Sequence, residues 1–179
     1  MKDVRTLHDK QFQPYIGEEE ILSAVKRLAK VLEEDYRGKD LVFLSVLNGS
    51  FMFTSDLMKH FQLDAEVSFV KVSSYQGTTT TGRVDELIGL NTDLKNKSVV
   101  ILEDIVDTGI TIDKVLTLLK IQNLESIEIC TLLFKPEAYL GKNKPKYIGM
   151  EIPNKFVVGY GLDFNELGRN LKEIYQLID

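Results

Sequence analysis

The stretch SVVILEDIVDTGITI (98–112) decides the fold of this chain. Its first five residues, SVVIL, form an apolar run that is typical of a strand buried on both faces of a parallel sheet. Two acids, Glu103 and Asp104, stand directly after this run. The apolar residues of TIDKVLTLLK (111–120) recur at the spacing of one helix face. We therefore predict a buried strand, an acidic loop and a helix in succession, which is the repeating unit of α/β folds.

The rest of the chain continues this alternation of strands and helices. We predict further helices over 18–35 and 50–61, and further strands over 41–47, 65–74, 84–90, 126–134, 155–161 and 173–178. The pattern favours an α/β domain with a mainly parallel central sheet flanked by helices. Because such a sheet binds its ligands beyond the carboxyl ends of its strands, we expect the functional residues directly after the strands.

Composition and charge exclude several classes of protein. The 179 residues are 44% hydrophobic and 27% charged, which are values of a globular domain and not of a disordered or fibrous chain. Lys and Arg number 22 and Asp and Glu 27, so the formal net charge of −5 argues against a general nucleic-acid binder. The sequence has no apolar stretch of membrane-spanning length and no apolar signal core. We expect a cytoplasmic protein with no nucleic-acid or membrane partner.

Residues of the usual metal-binding and redox types are few. Cys130 is the single cysteine, so an internal disulfide and a thiolate zinc site are excluded. His8 and His60 lie far apart and lack paired metal-ligand spacing. We expect all three side chains to have structural roles.

The segment after the two acids has the features of a phosphate site. Residues 108–111, TGIT, offer backbone N–H groups at the start of the predicted helix, together with two hydroxyl groups. Gly109 allows a ligand to approach the backbone closely. Glu103 and Asp104 repel a phosphate, but they suit the hydroxyls of a ribose or a Mg²⁺ ion carried by a pyrophosphate. This combination is expected of a protein that binds ribose 5-phosphate.

Two simpler interpretations compete with the phosphate site. In the first, Asp107 or Thr108 only caps the following helix, which leaves two adjacent acids at the end of an apolar strand unexplained. In the second, the chain is a phospho-acceptor receiver domain, which also has acids at strand ends. A receiver domain would leave the TGIT segment without a role.

The segment VVILEDIVDTG (99–109) resembles the phosphoribosyl-pyrophosphate binding signature of type I phosphoribosyltransferases. That signature consists of apolar residues, two acids, two apolar residues, an acid and Thr-Gly. Further stretches resemble hypoxanthine-guanine phosphoribosyltransferases in the order of that family: SVLNGSFMFTSDL (45–57), SSYQGTTTTG (73–82), LLFKP (132–136) and EIPNKFVVGYGLDFNELGRN (151–170). The resemblance runs from about residue 41 to residue 170, which is most of the chain.

The resemblance implies a fold, an activity and an assembly. The fold is that of type I phosphoribosyltransferases, in a single domain over 1–179 with a small hood built from roughly 1–17 and 150–179. The activity is Mg²⁺-dependent transfer of the 5-phosphoribosyl group from phosphoribosyl pyrophosphate to hypoxanthine and guanine, which yields IMP or GMP and pyrophosphate. The transition state is oxocarbenium-like. Family members form homodimers or homotetramers.

The resemblance also assigns roles to individual residues. Asp107 is the general base, and Glu103, Asp104 and Asp163 hold Mg²⁺, the last of them through waters. The implied substrate-binding residues are Leu47, Asn48, Gly49, Ser74, Tyr75, Glu103, Asp104, Ile105, Thr108, Gly109, Ile110, Thr111, Lys135, Phe156, Val157, Asp163 and Arg169.

The purine is assigned to the segments around Lys135 and Phe156. By resemblance Lys135 donates to the 6-oxo group and the ring nitrogen, and a fixed cation there disfavours the amino group of adenine. The ring of Phe156 stacks on the base, Val157 contributes backbone groups, and Ile105 forms the opposite wall. Without the resemblance, Lys135 would be taken for a solvated lysine and Phe156 for a core aromatic.

Pyrophosphate is assigned to the segments around Asn48 and Arg169. The resemblance implies a non-proline cis peptide between Leu47 and Asn48, whose backbone N–H groups bind pyrophosphate together with Arg169. Many family members have Lys at the position of Asn48. The stretch 73–82, with Ser74 and Tyr75, is implied to be a lid that excludes water.

A regulatory role is the remaining alternative. Some proteins with the signature of 99–109 bind nucleotides and RNA and control pyrimidine genes. The acidic composition and the complete set of purine-site motifs weigh against that role here.

Overall fold

The computed structural model describes residues 3–76 and 83–178. For residues 73–76 and 83–88 it describes the backbone but not the side chains. The helices are α1 (Glu18–Tyr36), α2 (Phe51–His60) and α3 (Ile110–Leu119). The strands are β1 (Arg5–Leu7), β2 (Lys10–Ile16), β3 (Leu41–Val46), β4 (Glu66–Gln76), β5 (Arg83–Ile88), β6 (Ser98–Val106), β7 (Ser126–Phe134), β8 (Tyr147–Glu151), β9 (Val157–Val158) and β10 (Ile174–Leu177).

A six-stranded sheet forms the centre of the molecule. Its strand order is β5-β4-β3-β6-β7-β8, in which β4, β3, β6, β7 and β8 run parallel and β5 is antiparallel to β4. Side chains alternate between its faces: Phe43 packs with α1 and α2, whereas Val42 and Leu44 pack with α3. The prediction of a mainly parallel sheet flanked by helices is confirmed. Cys130 is fully buried in this core, as a structural residue would be.

The first helix follows the predicted amphipathic pattern. The apolar stripe of α1, which includes Ile21, Val25, Leu28 and Leu32, is buried. Three glutamates occupy its first turn, where the helix dipole favours negative charge. Among the residues that the structure describes, no helix combines the length and the apolar character that crossing a membrane requires.

The central strand β6 is longer than the apolar run predicts. The prediction of a strand over 98–102 is wrong at its carboxyl end, because β6 continues to Val106. The reason is pairing with β7, in which Glu103 lies opposite Thr131 and Val106 opposite Phe134. Pairing with β7 therefore keeps Glu103 and Asp104 in the strand, although a sequence pattern of two acids predicts that the strand ends before them.

A second sheet, which we call the hood, joins the two ends of the chain. Its order is β1-β2-β10-β9, and all of its pairs are antiparallel. The prediction of a small hood built from the termini is confirmed. Strands β1, β2 and β8 were not predicted, because none has a clear apolar period and β2 contains Pro14. The predicted strand 155–161 is reduced to Val157–Val158, since positive φ angles follow from Gly159 onward.

Replacing Leu44 by Ala will lower the free energy of unfolding by about 2–5 kcal/mol, because a fully buried side chain leaves a cavity. Ile121→Ala is the matched control: Ile121 is 81% exposed, and its loss should cost less than about 0.5 kcal/mol. Urea denaturation of both variants measures the difference. Equal losses in the two variants would contradict the packing described.

Candidate active site

The loops that follow β3, β6 and β7 meet the turn after β9 at the carboxyl end of the central sheet. Gly49 touches Asp104, since a Cβ built on Gly49 would lie 1.7 Å from Asp104 Oδ2. Gly161 touches Gly49 in turn, with a built Cβ 1.9 Å from the Gly49 carbonyl oxygen. The Lys135 backbone N–H donates to the Val106 carbonyl at 2.9 Å. The structure thus brings the sequence-predicted segments together in one place.

Two buried carboxyl groups form the floor of the site. Glu103 and Asp104 are only 5% and 8% exposed. Burial, reinforced by the charges of Asp104 and Asp107, raises the pKa of Glu103 well above its ordinary value. Burial raises the pKa of Asp104 to about 6. The hydrogen bond from the Ile105 N–H at 2.9 Å and the charge of Arg169 lower this pKa and only partly oppose the effect of burial. Adjacent buried carboxyl groups of this kind favour a ligand that brings hydroxyls or a cation.

The carboxyl groups of Glu103 and Asp104 are of the ligand type that a magnesium ion prefers. Mg²⁺ binds through one or two carboxylates and completes its octahedron with waters and phosphate oxygens. Within the described residues, no group of three or more His, Cys, Asp or Glu side chains is arranged to hold a metal ion by itself. Asp163, the third predicted ligand, pairs through Oδ1 with Arg169 at 2.8 Å and accepts the Glu166 N–H through Oδ2 at 2.8 Å. A role for Asp163 through waters stays a prediction.

Residues 108–111, the predicted phosphate site that we call the phosphate cup, lie at the start of α3. Gly109 is the N-cap of this helix, in the left-handed region at φ 82°, and it makes no side-chain cap hydrogen bond. The interpretation that Asp107 or Thr108 caps the helix is therefore wrong, and the N–H groups of the first turn stay available for an anion. They border a small pocket whose lining includes Glu103, Asp107, Gly109 and Thr111.

The ring of Tyr139 packs against Gly109 at the start of α3. A Cβ built on Gly109 would lie 2.5 Å from Tyr139 Cε2, so only glycine fits there. The Leu140 N–H donates to the Thr108 carbonyl at 3.1 Å and joins the segment of Tyr139 to the start of α3. Sequence reasoning missed Tyr139, because nothing in its neighbourhood distinguishes it from a surface residue.

The loop between β3 and α2 has the backbone geometry that the resemblance implies. The peptide between Leu47 and Asn48 is cis. Beneath it, the Ser45 hydroxyl is 2.7 Å from both the Ser50 and the Thr54 hydroxyls. These three buried hydroxyl groups satisfy one another and fix the loop to the start of α2.

Arg169 is held at the edge of the site by several acceptors. Its guanidinium donates to the Gly161 carbonyl at 3.0 Å and pairs with Asp163 at 2.8 Å and with Glu166 at 3.1 Å. The side chains of Arg169 and Asp163 are 21% and 27% exposed, so the pair is partly buried. Sequence reasoning missed Gly161 and Glu166, although the glycines around Tyr160 indicated unusual backbone.

The two residues predicted to contact the purine, Lys135 and Phe156, differ in their exposure. Lys135 is buried, so the reading as a solvated lysine is wrong; burial lowers its pKa, and the charge of Asp107 opposes that shift. Phe156 is 48% exposed, and its ring packs against the rings of Phe12 and Phe164. It is therefore not an ordinary core aromatic. The exposed ring is free to stack on a ligand.

The remaining predicted residues have different outcomes. Val157 is buried in the hood and Ile105 is half-buried at the end of β6. Ile110, at the start of α3, is 58% exposed. Ser74 and Tyr75 lie in β4, but their side chains are outside the described part of the chain, and residues 77–82 of the predicted lid are outside it entirely.

Replacing Asp104 by Asn will stabilise the ligand-free protein at neutral pH. Burial raises the pKa of Asp104 from the ordinary 3.8 to about 6. Between these values the folded state binds more protons than the unfolded state, so stability falls as the pH rises through this window. This decrease in the free energy of unfolding is complete by neutral pH and amounts to at most about 3 kcal/mol. The Asn variant should therefore be more stable than the wild type at about pH 7.5, but not at about pH 3.5.

Thermal unfolding in the presence of EDTA measures this difference. Asp64 is exposed, so Asp64→Asn is the matched control and should follow the wild type at both pH values. An Asp104→Asn variant that is less stable than the wild type at neutral pH would contradict the burial described.

Comparison with known sequences identifies the family. Residues 17–165 match the phosphoribosyl transferase domain family. The hypoxanthine-guanine phosphoribosyltransferase of Staphylococcus aureus is 43% identical over 169 residues, which cover 94% of each chain. That of Staphylococcus epidermidis is 42% identical over 160 residues, which cover 89% of each chain.

Solved structures agree with this match. A Staphylococcus aureus hypoxanthine phosphoribosyltransferase superposes with a TM-score of 0.83 at 40% identity and covers 93% of this chain and 91% of its own. A second structure is a variant of the Trypanosoma cruzi hypoxanthine phosphoribosyltransferase in a ternary substrates complex. It superposes with a TM-score of 0.83 at 34% identity, and the match covers 92% of this chain and 94% of the other. The implied type I phosphoribosyltransferase fold is confirmed. The chain therefore belongs to the phosphoribosyl transferase domain family and, within it, to the hypoxanthine-guanine phosphoribosyltransferases.

Proposed function

We propose that this purine-salvage enzyme transfers the 5-phosphoribosyl group of phosphoribosyl pyrophosphate to hypoxanthine and guanine, in a Mg²⁺-dependent reaction that releases pyrophosphate. The observation that carries the proposal is the uncapped start of α3, which borders a pocket whose lining includes the buried Glu103 of β6. The relatives named above are hypoxanthine-guanine phosphoribosyltransferases. The activity of these relatives agrees with the presence of Lys135 and Phe156 in this chain.

The phosphate cup binds the 5-phosphate and the neighbouring acids bind the ribose. The N–H groups at the start of α3 and the hydroxyls of Thr108 and Thr111 face the phosphate, where the helix dipole adds to their attraction. Glu103 and Asp104 accept hydrogen bonds from the ribose hydroxyls. Because both carboxyl groups are buried, these bonds act where water competes little.

The departing pyrophosphate is stabilised on the opposite side of the ribose. Negative charge grows on it as the bond to C1 of the ribose breaks, in a transition state that resembles an oxocarbenium ion. The backbone N–H groups of Asn48 and Gly49 and the guanidinium of Arg169 receive that charge. Glu103 and Asp104, with Asp163 acting through waters, would hold Mg²⁺, which would supply additional positive charge to the pyrophosphate.

Asp107 accepts the proton that the imidazole ring of the purine loses. Its charge acts on both Glu103 and Lys135, which supports a position between the ribose-binding acids and the purine-binding lysine. A carboxylate in that position can reach the base while the phosphate cup holds the sugar. The lid with Ser74 and Tyr75 stays a prediction, with the role of excluding water during transfer.

Lys135 selects a purine that carries an oxygen at carbon 6. Its ammonium has donors only and no acceptor capacity. Because the side chain is buried, an adenine amino group facing it would leave donors opposite donors without water to compensate. Phe156 then holds the ring plane by stacking, with Ile105 on the other side.

The proposal also includes a cytoplasmic homodimer or homotetramer. Each chain forms one domain over 1–179, with the hood drawn from roughly 1–17 and 150–179. Strands β1 and β2 fall within the first of these ranges and β9 and β10 within the second, which supports the proposed limits. Nucleic acid and membranes are not partners in this account.

The direct test is an absorbance assay with hypoxanthine, phosphoribosyl pyrophosphate and Mg²⁺. Turnover that stops when EDTA removes the metal is the expected result. A protein that binds phosphoribosyl pyrophosphate and RNA but turns over no oxopurine would instead be a regulator, and a salt-dependent RNA-binding assay detects that outcome.

Replacing Asp107 by Asn will leave the fold intact and lower turnover by about 10²–10⁴-fold, because the amide cannot accept the purine proton. Steady-state kinetics with saturating substrates measures the loss. The exposed Asp9→Asn is the matched control and should keep wild-type turnover. Near wild-type turnover in Asp107→Asn would refute the general-base role.

Replacing Lys135 by Met will keep the bulk of the side chain and remove its ammonium. We expect kcat/KM for hypoxanthine to fall by about 10–100-fold, since a buried charged donor to the 6-oxo group is lost. The preference for hypoxanthine over adenine should narrow by a similar factor. Lys142→Met, at an exposed position, is the matched control. An unchanged preference in Lys135→Met would contradict selection by Lys135.

A further inference from the structure

The turn Gly159–Gly161, which we call the GYG turn, has an unusual backbone. Its three residues all have positive φ angles, of 97°, 51° and 99°. Tyr160 is the exceptional residue among the three, because residues other than glycine seldom have positive φ angles. The Tyr160 N–H donates to the Leu171 carbonyl at 2.7 Å, and the Gly161 N–H donates to the Arg169 carbonyl at 2.9 Å. The turn therefore sets the position of the backbone that carries Arg169.

The GYG turn lies directly on the loop with the cis peptide. A Cβ on Gly161 would lie 1.9 Å from the Gly49 carbonyl oxygen, and a Cβ on Gly49 would lie 1.7 Å from Asp104 Oδ2. The carboxyl group, the loop and the turn are thus stacked with no space for side chains between them. A shift of the loop must move either the turn or the carboxyl group.

A partly buried hydrogen bond holds this stack from the side. The Tyr160 hydroxyl donates to Asp56 Oδ2 at 2.7 Å, and the ring is 2% exposed in the main core. Asp56 lies on α2, six residues after Ser50. The Ser50 hydroxyl in turn donates to the Val46 carbonyl at the end of β3, so α2 connects Asp56 to the loop.

We propose that Tyr160 is a positioning residue for pyrophosphate binding. Through Asp56 and α2, its hydroxyl keeps the loop 47–50 in contact with the GYG turn and thereby with Arg169. The pyrophosphate-binding N–H groups and the guanidinium are then in place before the ligand arrives. Tyr160 itself touches no reacting atom. The proposal rests on the proposed function, because it assigns the ligand of this loop.

Tyr160→Phe tests the proposal, since it removes only the hydroxyl and leaves the ring in the core. We expect the KM for phosphoribosyl pyrophosphate to rise by about 3–10-fold, as the loss of one partly buried hydrogen bond to a carboxylate allows. The KM for hypoxanthine should change by less than about two-fold. A general loss of structure would change both constants or lower kcat instead.

Two further variants separate positioning from packing. Tyr175→Phe is the matched control, because the Tyr175 hydroxyl also meets a carboxylate in the hood, Glu173 Oε2 at 3.2 Å, but makes no link to α2. It should keep both wild-type KM values. Asp56→Asn keeps an acceptor for Tyr160 and should stay within about two-fold of the wild type, whereas Asp56→Ala should reproduce Tyr160→Phe.

Hydrogen exchange of the ligand-free protein supplies a readout that does not depend on turnover. The amides of residues 47–54 should exchange faster in Tyr160→Phe and should be unchanged in Tyr175→Phe. Unchanged exchange together with an unchanged KM for phosphoribosyl pyrophosphate would overturn the proposal. A wild type that turns over no oxopurine would refute the proposed function, and exchange alone would then decide whether the hydroxyl holds the loop.

Discussion

The burial of two adjacent carboxyl groups at the end of β6 is the constraint on which the site depends. Pairing with β7 keeps Glu103 and Asp104 in extended backbone, where they lie below the surface. Burial of the charged forms costs stability in the ligand-free protein. Ligands that bring hydroxyls or a metal ion reverse this cost, so the same feature that destabilises the free protein favours substrate binding.

Glycines allow the other segments to approach these carboxyl groups. Gly49 and Gly161 stand where any side chain would collide with backbone or with Asp104, and Gly109 stands where a Cβ would meet Tyr139. The result is a site assembled from segments far apart in the chain, with the hood on one side and the central sheet on the other. Close packing of backbone on backbone makes the position of each segment depend on its neighbours.

The sequence predicts the part of this architecture that rests on local patterns. Apolar period and residue order identify β6 and α3, since helix starts and buried strands have local signatures. The end of β6 is not predictable this way, because it depends on pairing with β7. The same holds for the Tyr160–Asp56 hydrogen bond, whose partners are 104 residues apart. The roles of Lys135 and Phe156 come from family resemblance, whereas their burial and exposure come from the structure.

A crystal structure with IMP and magnesium pyrophosphate tests the central claim most directly. We expect the 5-phosphate against the N–H groups at the start of α3, the ribose hydroxyls at the buried acids of β6, and the purine between Phe156 and Ile105 with its 6-oxo oxygen at Lys135 Nζ. A phosphate bound away from α3, or a purine that leaves Lys135 without a partner, would contradict the account.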